Sequence, residues 1–447
     1  MPLRQPSPDF PALREEVLHE VGERLLPLLF SSQIDDSAYL HWDKLSRKTP
    51  PEGLSSEEWW FLVKMKRANQ ARPLPLLDKE GTPLTVNLTD EVLQLSEEIA
   101  RRSGGIVGGG KNDLNRADTD LYLVRSLLDE SIRSSQLEGA STSRRVAVEM
   151  IDSGRTPRDV SEIMILNNYL AMQEAKEAAS GPLSQEFVLG LHETLTTNTL
   201  ENPDHSGRIQ TEDDERISVW AGDVCVHVPP PAAQLPERLE TLVQFANGAT
   251  DSSPYLPPVV RAIITHFMFG YDHYFEDGNG RLARTAFYWS MLHNGYWLAE
   301  FATISGILRE APGKYGDAYQ HAEDDDGDLT YFVLHQLRVF KRSLDNLDEH
   351  IARKQAENAQ LKRTLATLAE QFSFRQSQIL ESFNDGEYST VTASAVARRF
   401  HVTEQTARND LKHLEELKLL ARLPKTRPAI WVAGGELTQR LQAITRR

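Results

Sequence analysis

One segment limits what this chain can fold into more than any other. The apolar helical stretch Val259–Tyr271 runs into His273-Tyr-Phe-Glu-Asp277-Gly278-Asn279-Gly280-Arg281-Leu-Ala-Arg284, and a second apolar helical pattern starts at about Arg281. Gly278 and Gly280 reach backbone angles that other residues avoid, and Asn279 tolerates them. A turn of this kind points successive N–H groups into one concavity at the positive end of the following helix. That concavity is an anion site.

The side chains around it fit the same purpose. Arg281 and Arg284 stand three apart and share a helix face within reach of the concavity, where planar guanidinium groups grip phosphate oxygens. Asp277 at the loop entrance offers a hard oxygen to magnesium held against the same phosphates. His273 has an intrinsic pKa near about 6.5 and is suited to taking a proton from an incoming hydroxyl. A base, a metal ligand, an anion cradle and two arginines within twelve residues describe phosphoryl or nucleotidyl transfer.

Elsewhere the periodicity is helical almost throughout: Val92–Ile99, Leu121–Ile132, Phe187–Leu195, Leu235–Phe245, Val259–Phe269, Ala286–Leu292 and Tyr331–Phe340. The clearest strand-like alternation is Ile217–Trp220 and Val224–Val228 around the turn Ala221-Gly222-Asp223, stopped by Pro229-Pro230-Pro231. The chain has 447 residues, more than one core usually organises. It divides into an aromatic- and proline-rich region 1–85 around His41-Trp42-Asp43 and Trp59-Trp60, a helical body 86–340, a charged connector helix 341–371, and a small domain 372–447.

Two lookalikes are set aside. Gly105-Ile-Val-Gly-Gly-Gly-Lys111-Asn112 lacks the preceding strand and the Ser or Thr of a phosphate-binding loop, and reads as a glycine-rich loop. Asp324-Asp325-Asp326-Gly327-Asp328 lacks the closing glutamate of a calcium loop and reads as a solvated turn. The only cysteine, Cys225, excludes an intramolecular disulfide and reads as a small buried residue of the hairpin. No apolar run approaches a membrane span, and the N-terminus does not read as a secretory signal, so the expected location is cytoplasmic.

The segment His273–Arg284 resembles the signature of the Fic (filamentation induced by cAMP) family, His-Pro-Phe-x-(Asp/Glu)-Gly-Asn-Gly-Arg-x-x-Arg, with Tyr274 in the place of proline as the one departure. The resemblance implies a mainly α Fic bundle with a small hairpin flap. It implies His273 as general base, Asp277 as the Mg2+ ligand, Gly278, Asn279 and Gly280 as the anion hole, and Arg281 and Arg284 on the phosphates of ATP. The base would deprotonate a Ser, Thr or Tyr hydroxyl of another protein, which attacks the α-phosphorus as pyrophosphate leaves. A second departure lies downstream. The family often has an Asn-Arg pair and two adjacent tyrosines near the nucleotide base, and here Arg309-Glu-Ala311-Pro312-Gly-Lys-Tyr315-Gly316 keeps one tyrosine.

Ser134-Ser135-Gln136-Leu137-Glu138-Gly139 ends a helical pattern with a glutamate before a terminating glycine, and resembles the family's N-terminal inhibitory motif. That resemblance implies that Glu138, with Ser134, pairs with Arg284 and blocks productive placement of the γ-phosphate; some inhibited members also remove AMP with the same glutamate. The hairpin matches the position of the family's target-binding flap, with Ile217, Val219, Val224 and Val226 as the residues that would align a target strand.

The C-terminal residues resemble a winged helix-turn-helix module. Thr392 caps Ala393–Phe400, Thr403 caps Glu404–Leu417, and Leu419–Leu423 with Ala429–Val432 form a hairpin. Gln405, Arg408, Asn409 and Lys412 face outward on the recognition helix, with Lys425 and Arg427 on the wing. From Arg375 to Arg447 there are 12 Lys/Arg against 8 Asp/Glu, a balance of +4 beside −16 for the chain, so the tail suits DNA better than the acidic body does. The expectation is an autoinhibited protein adenylyltransferase using ATP and Mg2+. Its partners are a target protein with a modifiable hydroxyl and, at the C-terminal domain, DNA or else another protein; no membrane is expected and a homodimer is left open. The alternative is a DNA-binding transcriptional regulator whose Fic body senses nucleotide.

Overall fold

The structure, a computed structural model, describes residues 7–29, 34–104, 116–221, 223–248, 254–368, 371–384, 388, 390–424, 426, 428–434 and 440–441. The chain divides into two compact units: Met1–Gly109 with Ser126–Ser343, and Gly110–Arg125 with Leu344–Arg447. In chain order the elements up to Thr367, of which α5 and α14 are divided between the units, run α1 Phe10–Leu29, α2 Trp42–Leu45, α3 Ser56–Ala68, β1 Arg72–Leu77, β2 Pro83–Val86, α4 Asp90–Ser103, α5 Arg116–Leu137, α6 Arg144–Ser153, α7 Val160–Ala178, α8 Gln185–Thr196, β3 Val219–Ala221, β4 Val224–His227, α9 Leu235–Ala246, α10 Pro258–Asp272, α11 Asn279–His293, α12 Ile304–Glu310, α13 Pro312–Asp324 and α14 Thr330–Thr367. The small strands pair as antiparallel hairpins, β1 with β2 and β3 with β4, and Thr85 of β2 makes a single parallel bridge to Asp328. Among the described residues, no helix is long and apolar enough to cross a membrane.

The helix pair α10–α11 forms the centre of the first unit. Val259, Val260, Ala262, Ile263, Ile264, Phe267 and Phe269 of α10 are buried, as are Leu282, Ala286, Trp289 and Met291 of α11. Helices apolar on nearly every side need neighbours all round, which α7, α8, α9 and α4 supply.

The N-terminal region packs on the same unit. In α3 the capping box Ser55/Glu58 starts the helix, and Trp60, Phe61, Leu62 and Val63 are all 0% exposed. The acidic run after α13 anchors it, which corrects the expectation of a solvated turn. Asp325 is buried and takes Lys64 Nζ at 2.6 Å, Asp328 is buried and accepts from Thr330 N, and Tyr39 donates to Asp328 at 2.5 Å. Arg67 lies 3.8 Å from the centre of the Tyr39 ring and binds Asp36. Buried carboxylates of this kind persist because each has a charged or hydroxyl donor.

The flap hairpin pairs Val219 with His227, Trp220 with Cys225 and Ala221 with Val224, with a bulge between Val219 and Trp220. Its strands are shorter than the sequence pattern, so Ile217 and Val228 flank them. Ile217, Trp220, Val224 and Val228 are exposed. Cys225 is exposed too, contrary to the buried position expected, because successive residues at this end of the hairpin have no layer packed over them. No helix break separates body from connector: α14 is one helix of 38 residues through both.

The second unit carries α15 Phe374–Asn384, β5 Val391–Thr392, α16 Ala393–Phe400, α17 Glu404–Glu416, β6 Leu420–Arg422 and β7 Ile430–Ala433, with sheet order β5-β7-β6. Thr392 and Thr403 cap their helices by accepting from Ala395 N and Thr406 N. Ala407, Leu411 and Leu414 join Val396, Ile379, Leu380 and Trp431 in its core. Gln405, Arg408, Asn409 and Lys412 are exposed on one face of α17. The wing residues Lys425 and Arg427, like the glycine-rich loop 105–112, lie outside the described residues.

Candidate active site

α10 ends at Asp272, and His273 caps it in the left-handed region at φ 51°, ψ 57°. A non-glycine residue there costs on the order of 1–2 kcal/mol, so its surroundings must hold it. Gly278 at φ +84° then opens α11, and a Cβ on it would meet Thr196 and His192. The first-turn N–H groups of α11 have no partner within the helix and face the turn.

Several side chains build the turn rather than line it. Asn279 clips it, accepting from Phe275 N at 3.1 Å and donating to Phe275 O at 2.7 Å. Arg281 is wholly buried and donates to Leu195 O at 2.9 Å and to Asp277 Oδ2 at 3.2 Å. Burial pushes its pKa down, and its buried Nε has no hydrogen-bond partner. Asp277 is exposed, so its carboxylate is within reach of solvent and of a cation. His192 was not legible as part of the site. Its Nδ1 accepts from Gly207 N at 3.0 Å, which leaves Nε2–H to donate to Asp277 O at 2.8 Å. Its ring lies 3.7 Å from that of Phe275, and burial lowers its pKa to about 4, so it is neutral.

Glu138 and Arg284 meet across 146 residues of chain, Arg284 Nη2 donating to Glu138 Oε1 at 2.8 Å. Ser134 supplies two further acceptors: Oγ takes Arg284 Nε at 2.8 Å, and its carbonyl takes Nη2 at 3.1 Å. The position of Glu138 follows from its neighbour. Gly139 at φ +97° ends α5, with Ala140 N returning to Ser135 O at 3.0 Å in a Schellman-type closure. The Glu138 carboxylate lies over the start of α11, where a Cβ on Gly280 would come within 2.3 Å of its Oε1. An anionic group thus already sits where the turn offers its N–H groups. Arg284 is buried, and although burial opposes its charge, Glu138 leads the interactions that hold its pKa up.

His273 is half-buried, its Nδ1 3.3 Å from Gly270 O. Burial, assisted by His227 and Arg216, lowers its pKa to about 4, so the ring is neutral at pH 7 and able to take a proton. Tyr274, in the position of the family's proline, is wholly buried and donates to Asp272 Oδ2 at 2.6 Å, while Arg238 Nε donates to Asp272 Oδ1 at 2.7 Å. Tyr315 bonds His266 Nε2 at 2.8 Å, and a second tyrosine, Tyr319, stands one turn on in α13 with its ring 5.4 Å away. Burial holds His266 near about 3 and raises the Tyr315 hydroxyl.

The turn therefore gathers His273, Asp277, Gly278, Asn279, Gly280, Arg281, Arg284, Ser134 and Glu138; Ile217, Val219, Val224 and Val226 stand in a hairpin whose Arg216 and His227 bond the end of α10, with no contact to the turn of their own among the described bonds. A separate buried group, His41, Asp43 and His321, brings metal-ligand types together. His41 Nδ1 and His321 Nε2 both lie against Asp43 Oδ1, at 3.1 and 3.3 Å, and the two imidazole rings stack at 4.3 Å and 20°.

Residues 182–291 match the Fic/DOC family and residues 375–423 the DeoR-like helix-turn-helix domain. Among curated proteins, the chain resembles protein adenylyltransferase fic-1 of Caenorhabditis elegans, 25% identical over 237 residues, and that of Caenorhabditis briggsae, 25% identical over 190 residues. The alignments cover 51% and 41% of this chain but only 41% and 34% of those proteins, so the chain spans less than half of either. Among solved structures, a Fic family protein from Desulfovibrio desulfuricans G20 aligns over 78% of this chain and 97% of its own at a TM-score of 0.50 and 19% identity, a likeness of fold. The chain carries a Fic domain followed by a DeoR-like helix-turn-helix domain. The family match contains the whole turn and the hairpin; Ser134 and Glu138 fall outside it.

Proposed function

We propose that this chain is a protein adenylyltransferase that moves AMP from ATP to a Ser, Thr or Tyr hydroxyl of a target protein, with Glu138 holding it in check. The single observation that carries the reading is the Glu138 carboxylate bound to Arg284 at the mouth of the α11 anion site, beside a neutral His273. The resemblance to protein adenylyltransferases supports the same reaction.

In this reading the exposed hairpin aligns a target segment as an added strand. Neutral His273 takes the hydroxyl proton as the oxygen attacks the α-phosphorus, the bond to the bridging oxygen breaks, and pyrophosphate leaves. Arg284, once freed, and the first-turn N–H groups of α11 carry the charge on the departing phosphates. Magnesium fits the exposed Asp277 carboxylate, since it is commonly held by one or two carboxylates together with substrate phosphates. Asp277 would hold it, and the ion would neutralise phosphate charge. The arrangement also allows hydrolytic removal of AMP: a water oriented by Glu138 attacks the phosphorus, the bond to the target oxygen breaks, and that oxygen takes a proton from the protonated His273. A second reading, a DNA-binding regulator whose Fic body senses nucleotide, draws on the exposed polar face of α17.

The test is incubation with magnesium and ATP labelled at the α-phosphate. Label on Glu138→Gly far above the unmodified chain, and none on His273→Ala, is the expected result. Absence of label from Glu138→Gly with every nucleoside triphosphate tried would overturn the reading in favour of the sensor.

A further inference from the structure

The last carbonyls of a helix lack partners within it; at the end of α10, Tyr271 O meets His227 Nε2 at 2.7 Å, and the carbonyls of Asp272 and of the two residues after it find partners in the segment leading into the hairpin. Asp272 O accepts from Arg216 Nη2 at 2.5 Å, His273 O accepts from Arg216 Nη1 at 2.6 Å, and Tyr274 O accepts from Gln210 N at 2.9 Å. Three successive carbonyls around the left-handed residue are thus taken by one short segment. The same guanidinium donates from Nε to Pro230 O at 2.8 Å and from Nη1 to Gln210 Oε1. Arg216 precedes β3 and Pro230 follows β4, so one side chain ties both ends of the hairpin to the backbone of His273.

The chemistry suits a fixed brace. Every one of these acceptors is a neutral oxygen, and a planar fork with five N–H donors is the side chain able to serve four at once. Burial lowers the Arg216 pKa only to about 10, so it remains charged and also favours the negative end of α10. A second layer lies beneath it, where Tyr274 and Arg238 hold the Asp272 carboxylate. Proline at position 274 would fix a backbone angle covalently; tyrosine does not, and the turn depends on these hydrogen bonds instead.

We propose that Arg216 is the positioning residue for His273: it holds the base in its left-handed conformation and couples the hairpin that receives the target to the group that takes the proton. This rests on the transferase reading, so its test has one arm that does not need activity.

Arg216→Lys keeps the charge and reaches one of the two carbonyls of the turn; Arg216→Met keeps the bulk and reaches neither. Both are made in the Glu138→Gly parent and in the otherwise unmodified chain. In the parent, kcat for AMP incorporation falls about 10-fold with Lys and about 100-fold with Met, the scale of a base misplaced by about 1 Å. KM for ATP stays within about two-fold, because the phosphate-facing groups are untouched. In the otherwise unmodified chain, 15N-histidine NMR follows the His273 ring, assigned by its loss in His273→Ala. The groups that face it are Arg216, His227 and Glu138. Its titration near about 4 is kept by Lys and moves upward in Met, which loses both the nearby charge and the turn that buries the ring. Unchanged kcat with an unmoved titration in Arg216→Met overturns the proposal, and so does a rise in KM for ATP that accounts for the whole loss of rate. A Glu138→Gly parent that takes up no AMP overturns the transferase reading instead, and the titration alone then decides the position of the base.

Discussion

Replacing Glu138 tests whether charge, rather than bulk, holds this site shut. Arg284 is 1% exposed and the Glu138 side chain 29%, so their 2.8 Å contact is a partly buried, charge-assisted hydrogen bond. Such a bond contributes about 1.5–3 kcal/mol, and a carboxylate at a helix N-terminus adds about 0.3–1 kcal/mol. A phosphate group must displace both, a barrier of roughly 2–4 kcal/mol, which corresponds to about 30- to 1,000-fold in rate. Glu138→Gly is therefore expected to raise the initial rate of AMP incorporation about 100-fold. The protein still folds, because Arg284 keeps both Ser134 acceptors. Glu138→Gln preserves the shape and a neutral hydrogen bond to Arg284, so it should raise the rate about 10-fold. The assay is incorporation of α-labelled AMP at subsaturating ATP with magnesium, alongside the rise in melting temperature that ATP produces in each variant. Equal rates for the unmodified chain and Glu138→Gly would refute the electrostatic argument. A Glu138→Gln protein as silent as its parent would refute it too, leaving steric exclusion over Gly280.

Three further outcomes are expected. Arg238→Met leaves the wholly buried Asp272 carboxylate without its charged partner, so urea denaturation should show about 3–5 kcal/mol less stability, partly restored by Asp272→Asn in the same chain. The buried His192 and His266 and the half-buried His273 and His335 all have pKa values lowered by desolvation, to between about 3 and about 4, so the unfolded chain binds more protons below pH 6.5. Stability should fall as pH drops from 6.5 to about 4, by up to about 1.4 kcal/mol per pH unit per histidine, read from denaturation midpoints across that range; the raised Glu130 and Asp272 carboxyls act in the opposite sense. Arg408→Ala with Lys412→Ala should weaken salt-sensitive binding of the full chain to duplex DNA, lowering the salt slope by about 2, without altering the melting of the protein.

Much of the local structure was written into neighbouring residues. Thr392 and Ala393–Phe400 form a capped helix with the boundaries the pattern predicts, and the turn at Gly278 and the helix end at Gly139 both use the positive φ that glycine permits. These features are decided within one helical turn, where a cap, a missing Cβ or an apolar period acts on the backbone beside it. The charged stretch from Lys341 reads as a boundary, the division into compact units falls at Ser343 and Leu344, and α14 runs through it unbroken because a helix persists with a changed environment on its faces.

What the sequence determined by itself was the motif: a histidine, an acid, a glycine turn and two arginines in one stretch, with a glutamate at a helix end far upstream. Only the tertiary structure decided what each of these groups bonds to. It spends Arg281 and Asn279 on building the turn, seats the Glu138 carboxylate over Gly280, buries Asp325 and Asp328 against Tyr39 and Lys64, and leaves Cys225 in solvent. It also brings in His192, Arg216 and Arg238, none of which belongs to any motif. The reason is physical: a backbone turn is fixed by residues adjacent in sequence, whereas burial and the pairing of a charge depend on which distant groups pack against it, and a buried donor must find its acceptor wherever the fold supplies one.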